Sequence, residues 1–144
     1  MIANTRRLDS LRQVLRLTYG IVPIVAGLDK FLNLLTNWEQ YLSPTAVQLL
    51  PVSPTTFMHA VGVIEIAAGI IVLAGFTTLG AYIVSAWLTL IALSLIQSGH
   101  YFDVAVRDLV MAVGAYSLGV LNEVLHEGRL RNAASIENQL RASA

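Results

Sequence analysis

An all-α integral membrane protein, folded as one four-helix bundle, is the architecture this 144-residue chain predicts, and three observations carry it. The chain is 56% hydrophobic and 12% charged, and its mean hydropathy of +0.66 lies on the apolar side of soluble domains. Four apolar windows, each near the roughly 20 residues needed to cross a hydrocarbon core of about 30 Å, follow one another at approximately 17–35, 55–74, 79–97 and 103–122. Turn-forming residues separate them. The zero formal net charge gives no basic excess for nucleic acid. The absence of cysteine excludes disulfides, thiolate catalysis and Cys-ligated metal sites.

The first window follows Arg6, Arg7, Arg12 and Arg16, a pattern shared with signal peptides. It continues past its own charges as FLNLL with no A-x-A site after it, so an uncleaved helix is expected. The loop over 36–54 contains three prolines, and Ser53-Pro54 reads as the N-cap and first-turn pair of the second helix. GFTTLG makes a tight turn before the third window. SGHYFD ends that window and opens the fourth with an acid at the positive end of a helix dipole.

Basic residues set the orientation. Those before the first helix, together with Arg129, Arg131 and Arg141 after the fourth, flank a loop at 36–54 with no Lys or Arg. Both termini are therefore expected in the cytoplasm, in the inner or plasma membrane of a bacterium. Leu8, Leu11 and Leu15 fall on one helical stripe, as do Leu130, Ala133, Ile136 and Leu140 in the tail at 123–144. Short amphipathic segments resting on the membrane surface are expected at both ends. Trp38, Tyr41, Tyr101 and Phe102 fit an outer aromatic belt, and TAVQLL in the loop is expected to lie over the outer end as a lid.

In this topology the polar residues of the spans gather on the outer side: Asp29, Lys30 and Asn33 from the first helix, His59 and Glu65 from the second, Gln97 and His100 from the third, and Asp103, Arg107 and Asp108 from the fourth. At about 1.5 Å per residue, Lys30, Arg107 and Asp108 fall roughly 6 to 8 Å outward of the midplane and Glu65 close to it. Gly27 and Lys30 share a stripe, as do Gly62, Glu65 and Gly69; small residues there mark packing faces. Asp103 and Arg107 form an i,i+4 pair in register with Met111 and Gly114. A charge at the centre of a membrane helix costs about 2.5 to 3.5 kcal/mol even on the lenient insertion scale, so these groups are expected to face inward and pair. Lys30 has Glu65 or Asp108 within reach, and Arg107 has Asp103, Glu65 or Asp29. Two cations against four acids leave acid in excess, and protonation at Glu65 is the cheapest remedy.

These motifs resemble the DoxX family of small four-helix membrane proteins. The matching features are Gly27 and Lys30 at the end of the first helix, Gly62, Glu65 and Gly69 in the second, and Asp103, Arg107 and Asp108 opening the fourth, over about 15–123. The resemblance implies a membrane bundle associated with redox systems. It also implies an outer-side cavity for a quinone headgroup, with Lys30 or Arg107 donating to a carbonyl and Glu65 or Asp108 handling protons. No flavin, haem or dinucleotide motif is encoded, so electrons would come from a redox-enzyme partner. The alternatives are a structural or assembly protein without ligand, and a small-solute or proton pathway formed by a homo-oligomer. No metal site is expected, because His59 and His100 lack ligand spacing.

Overall fold

A computed structural model of the chain describes residues 2–42, 47–48 and 51–142, with side chains described from residue 6 onward. Four long helices organise it: α1 (Ile2–Leu32), α2 (Pro54–Leu73), α3 (Thr77–Ser98) and α4 (Phe102–Ala142). A single 3₁₀ turn, Trp38–Tyr41, follows α1. Each of the four helices is long and apolar enough to cross a membrane. Their outer wall is apolar over its length, with Leu17, Ile21, Leu28, Ile70, Leu90, Val110 and Val113 all exposed. Such a wall is stable only against lipid, and the protein is an integral membrane protein.

The core is built from small residues. Ala68, Ala81, Ala92, Ala105, Ala112 and Ala115 are buried, with Val72, Val84, Leu95 and Leu118 filling between them. Alanine at these positions lets backbones approach, which is the main source of helix association where lipid is as apolar as the side chains. α1 packs along α2 and α3 along α4, and contacts of α2 with α3 and of α1 with α4 close the bundle. Four crossings bring both termini to one end.

Local chemistry sets the boundaries. Ser53 accepts from the Thr56 amide at 3.2 Å with Pro54 in the first turn, the expected start of α2. Gly75 (φ 106°) and Gly99 (φ 73°) take left-handed backbone at the ends of α2 and α3, a conformation other side chains resist. α1 stops at Leu32, three residues short of its apolar window, because Asn33 turns left-handed (φ 50°) and the chain folds back.

The terminal amphipathic segments are not separate helices. They continue α1 and α4, since residues 3–19 contain no Gly or Pro and the tail contains only Gly128. α4 is about 60 Å long at 1.5 Å per residue, twice the hydrocarbon thickness, so its last half extends beyond the span. Ion pairs Glu127–Arg131 (3.2 Å) and Glu137–Arg141 support that half, and Arg129 ties it to Asp9 of α1 at 2.7 Å. The loop segment TAVQLL, apart from Val47 and Gln48, lies outside the described residues.

Candidate functional site

The site begins with two glycines. A Cβ on Gly27 would stand 2.5 Å from the Gly62 carbonyl oxygen, and one on Gly62 would stand 2.6 Å from that of Gly27. α1 and α2 therefore cross in backbone contact. Lys30 and Glu65 each lie three residues further along their helices, on the same stripes, and the crossing aims them at one another. Their side chains meet in a buried ion pair of 2.6 Å, with 4% and 9% of their surface exposed. At this depth pairing is what makes either charge tolerable.

Trp38 completes the surroundings of the cation. Its ring lies 3.6 Å from the Lys30 ammonium, well within cation–π range. Asp29 sets the position of that ring by accepting from the Trp38 indole N–H at 2.7 Å and from the Leu34 and Leu35 amides at 2.9 and 3.1 Å. This is a different role from the one its neighbour plays. Adjacent residues on a helix point about 100° apart, so Asp29 leaves the charge cluster and clamps the loop after α1. The tryptophan expected in an interfacial belt is instead a half-buried wall of the site.

Opposite the pair, α4 contributes Asp108, which is buried and within electrostatic reach of Lys30 and Glu65. Its ion-pair partner among the described residues is Arg107, at 3.7 Å. The Arg107 side chain is 64% exposed and pairs with neither Asp103, Glu65 nor Asp29. The inward face of α4 is Ala105, Asp108, Ala112 and Ala115, one position round from the stripe of Asp103 and Arg107. From α3, Trp87 directs its indole N–H toward the Glu65 carboxylate and falls short of a hydrogen bond, leaving a buried donor without a partner among the described residues.

These groups surround a cavity of about 530 Å³. Tyr19, Pro23, Phe57, Met58, Val84, Leu88, Ile91 and Met111 give it apolar and aromatic walls, and Lys30, Glu65, Trp87, Arg107 and Asp108 supply the polar points. Volume and lining fit a small-molecule pocket, largely apolar with a few convergent polar groups.

The other expected site residues are placed elsewhere. Asn33 is an exposed turn residue whose side chain accepts from the Trp38 amide at 3.5 Å. His59 stacks on Phe31 with ring centroids 4.6 Å apart, between α2 and α1. Gln97 and Asp103 are exposed, and His100 sits with Nδ1 2.8 Å from the Ser98 carbonyl. No group of three or more His, Asp or Glu side chains is assembled for a metal among the described residues. Trp38 and Trp87 are the members that sequence reasoning passed over. For Trp87 the signal was position, since a polar-edged aromatic in the middle of an apolar span needs a partner for its N–H.

Among protein families, the DoxX model matches residues 11–98, from α1 to the end of α3. The match includes the Gly27, Lys30, Gly62 and Glu65 constellation and ends before Asp103, Arg107 and Asp108. No curated protein and no solved structure matches the chain.

Proposed function

The chain belongs to the DoxX family, and from that premise we propose that it binds a lipid-soluble quinone in its intramembrane cavity as the membrane subunit of a redox assembly. The observation that carries the proposal is the buried Trp87 N–H, without a hydrogen-bond partner among the described residues, in a largely apolar cavity that the Lys30 ammonium also lines. Buried donors normally have partners, and a carbonyl oxygen between these two would supply one. Lys30 has three N–H donors and gives one to Glu65, so its capacity is not exhausted. The aromatic walls suit a flat ring, and Glu65 and Asp108 are the groups able to hold or pass a proton at its oxygens. Quinone supplies two-electron, two-proton redox chemistry when bound, and a partner enzyme would exchange the electrons.

The chain's two tryptophans, Trp38 and Trp87, both line the cavity, which makes the test direct. Purified protein in mild detergent is titrated with a short-chain ubiquinone or menaquinone analogue, with emission excited at 295 nm. Saturable quenching that is lost in Trp87→Phe, Lys30→Met protein supports the reading. Quenching no stronger than that of N-acetyltryptophanamide in the same micelles refutes it. A second reading, in which the ion pair only holds α1 on α2, is favoured by the backbone contact of Gly27 and Gly62, and that unsaturable result is what it expects.

The orientation belongs to the same proposal. Arginines flanking both termini support a cytoplasmic position for these, in a bacterial membrane. A C-terminal green fluorescent protein fusion is then bright and an alkaline phosphatase fusion inactive; the reverse pattern overturns the orientation.

A further inference from the structure

A second cavity, of about 210 Å³, lies at the opposite end of the bundle, where both termini emerge. Arg12 and Arg16 of α1 and Arg129 and His126 of α4 line it, together with Thr77 and Asn122. Among the described residues, the one carboxylate paired with these arginines is Asp9, 3.8 Å from Arg12 and 2.7 Å from Arg129. Arg16 is held by neutral acceptors, the Val72 and Leu73 carbonyls that end α2, so its charge stays uncompensated. Three guanidiniums thus face one acid.

The donors are also incompletely used. Arg12 gives one N–H to the Asn122 side chain at 3.2 Å, yet its buried Nε has no hydrogen-bond partner among the described residues. α3 begins at the same cavity. Its N-cap, Phe76, makes no side-chain hydrogen bond, and the Thr77 hydroxyl turns back to the Val72 carbonyl at 3.2 Å instead of capping. The first-turn amides of a 22-residue helix therefore add their partial positive charge to that of the arginines. Forked guanidinium donors beside a helix N-terminus match the tetrahedral oxygens of a phosphate.

We propose that this cavity binds a phosphate group, carried by an anionic phospholipid headgroup or by a soluble phosphate. Phe76, 67% exposed and flanked in the chain by the lining residues Gly75 and Thr77, offers an apolar surface along which an acyl chain would lie. Independence from the quinone reading is built into the geometry, since the two cavities occupy opposite ends of the bundle.

The test uses delipidated full-length protein in mild detergent, analysed by native mass spectrometry and thermal unfolding against phosphatidylglycerol, phosphatidylcholine and inorganic phosphate. Retention of phosphatidylglycerol over phosphatidylcholine, weakened by about tenfold or more in Arg129→Gln, supports a lipid source. Stabilisation by inorganic phosphate alone, lost in the same variant, supports a soluble one. Arg131→Gln removes equal charge from an exposed position outside the cavity and is expected to leave binding unchanged. Arg129 is 59% exposed, so losing its pair with Asp9 costs little, and both Arg129→Gln and Arg12→Gln are read where their helical circular dichroism equals the parent's. Equal retention of both lipids with no effect of phosphate overturns the proposal, as does a loss in Arg131→Gln as large as that in Arg129→Gln.

Discussion

Replacing Lys30 with methionine and Glu65 with glutamine, singly and together, measures how far the buried pair holds the bundle. Removing one partner of a buried pair generally costs about 3 to 5 kcal/mol, because the other charge is left without compensation. The two sides differ here. Lys30→Met removes the ion pair and the contact with Trp38, leaving Glu65 with the imperfectly aimed Trp87 N–H, so the full cost is expected. Glu65→Gln leaves the ammonium still covered by Trp38, an interaction worth up to about 2 kcal/mol when desolvated, and its cost falls to about 2 to 3 kcal/mol. In the double variant no charge remains unpaired, and its destabilisation should be smaller than that of Lys30→Met alone. The coupling energy is then about 3 kcal/mol. Unfolding by sodium dodecyl sulfate in mixed micelles, followed by circular dichroism, provides the four free energies. Coupling below about 0.5 kcal/mol would mean that the pair is solvated or unmade and does not hold α1 on α2.

Three further outcomes follow from the structure. Gly62→Val inserts its side chain into the Gly27 carbonyl and should separate α1 from α2 at a cost of at least about 2 kcal/mol, whereas Gly128→Ala, in open space on α4, should stabilise by up to about 1 kcal/mol. Thermal unfolding checks both, and equal midpoints for Gly62→Val and the parent would refute the backbone contact. In a Trp87→Phe background, Asp29→Ala frees the only remaining indole from its hydrogen bond and should shift Trp38 emission as the ring leaves Lys30; an unchanged spectrum would deny Asp29 its clamping role.

The pair itself was legible because its cause is local on both sides. A glycine three residues before a charge puts a close-approach point and a long side chain on one stripe, and two such stripes need each other. Membership of the wider cluster was not legible for the same reason in reverse. Asp29 is next to Lys30 in sequence, but its partners are the amides of Leu34 and Leu35, which exist in that position only after Asn33 has turned left-handed. Pairing Asp103 with Arg107 by i,i+4 spacing chose the wrong stripe of α4. The run of alanines at 105, 112 and 115 marks the true inner face and takes Asp108 with it. Continuity of the end segments with α1 and α4 also escaped the hydropathy windows, which register apolar length and are blind to a polar helix that simply continues.

The two ends of the bundle handle polarity by opposite means. At the Lys30 end, the buried Lys30–Glu65 pair is matched across the α1–α2 crossing and the ammonium is covered by the Trp38 ring, so that charge is tolerated in a region without water. At the Arg12 end, helix termini meet the membrane surface, where positive charge is cheap, and the Arg12 Nε and the α3 amides are left with capacity to spare. Compensation inside the membrane and surplus at its edge are what a bundle needs if a ligand is to enter from the lipid while its frame is held from the surface. Arg16 links the two requirements, since the residue that ends α2 by binding the Val72 and Leu73 carbonyls also stands on the stripe of α1 that leads through Gly20 to Gly27.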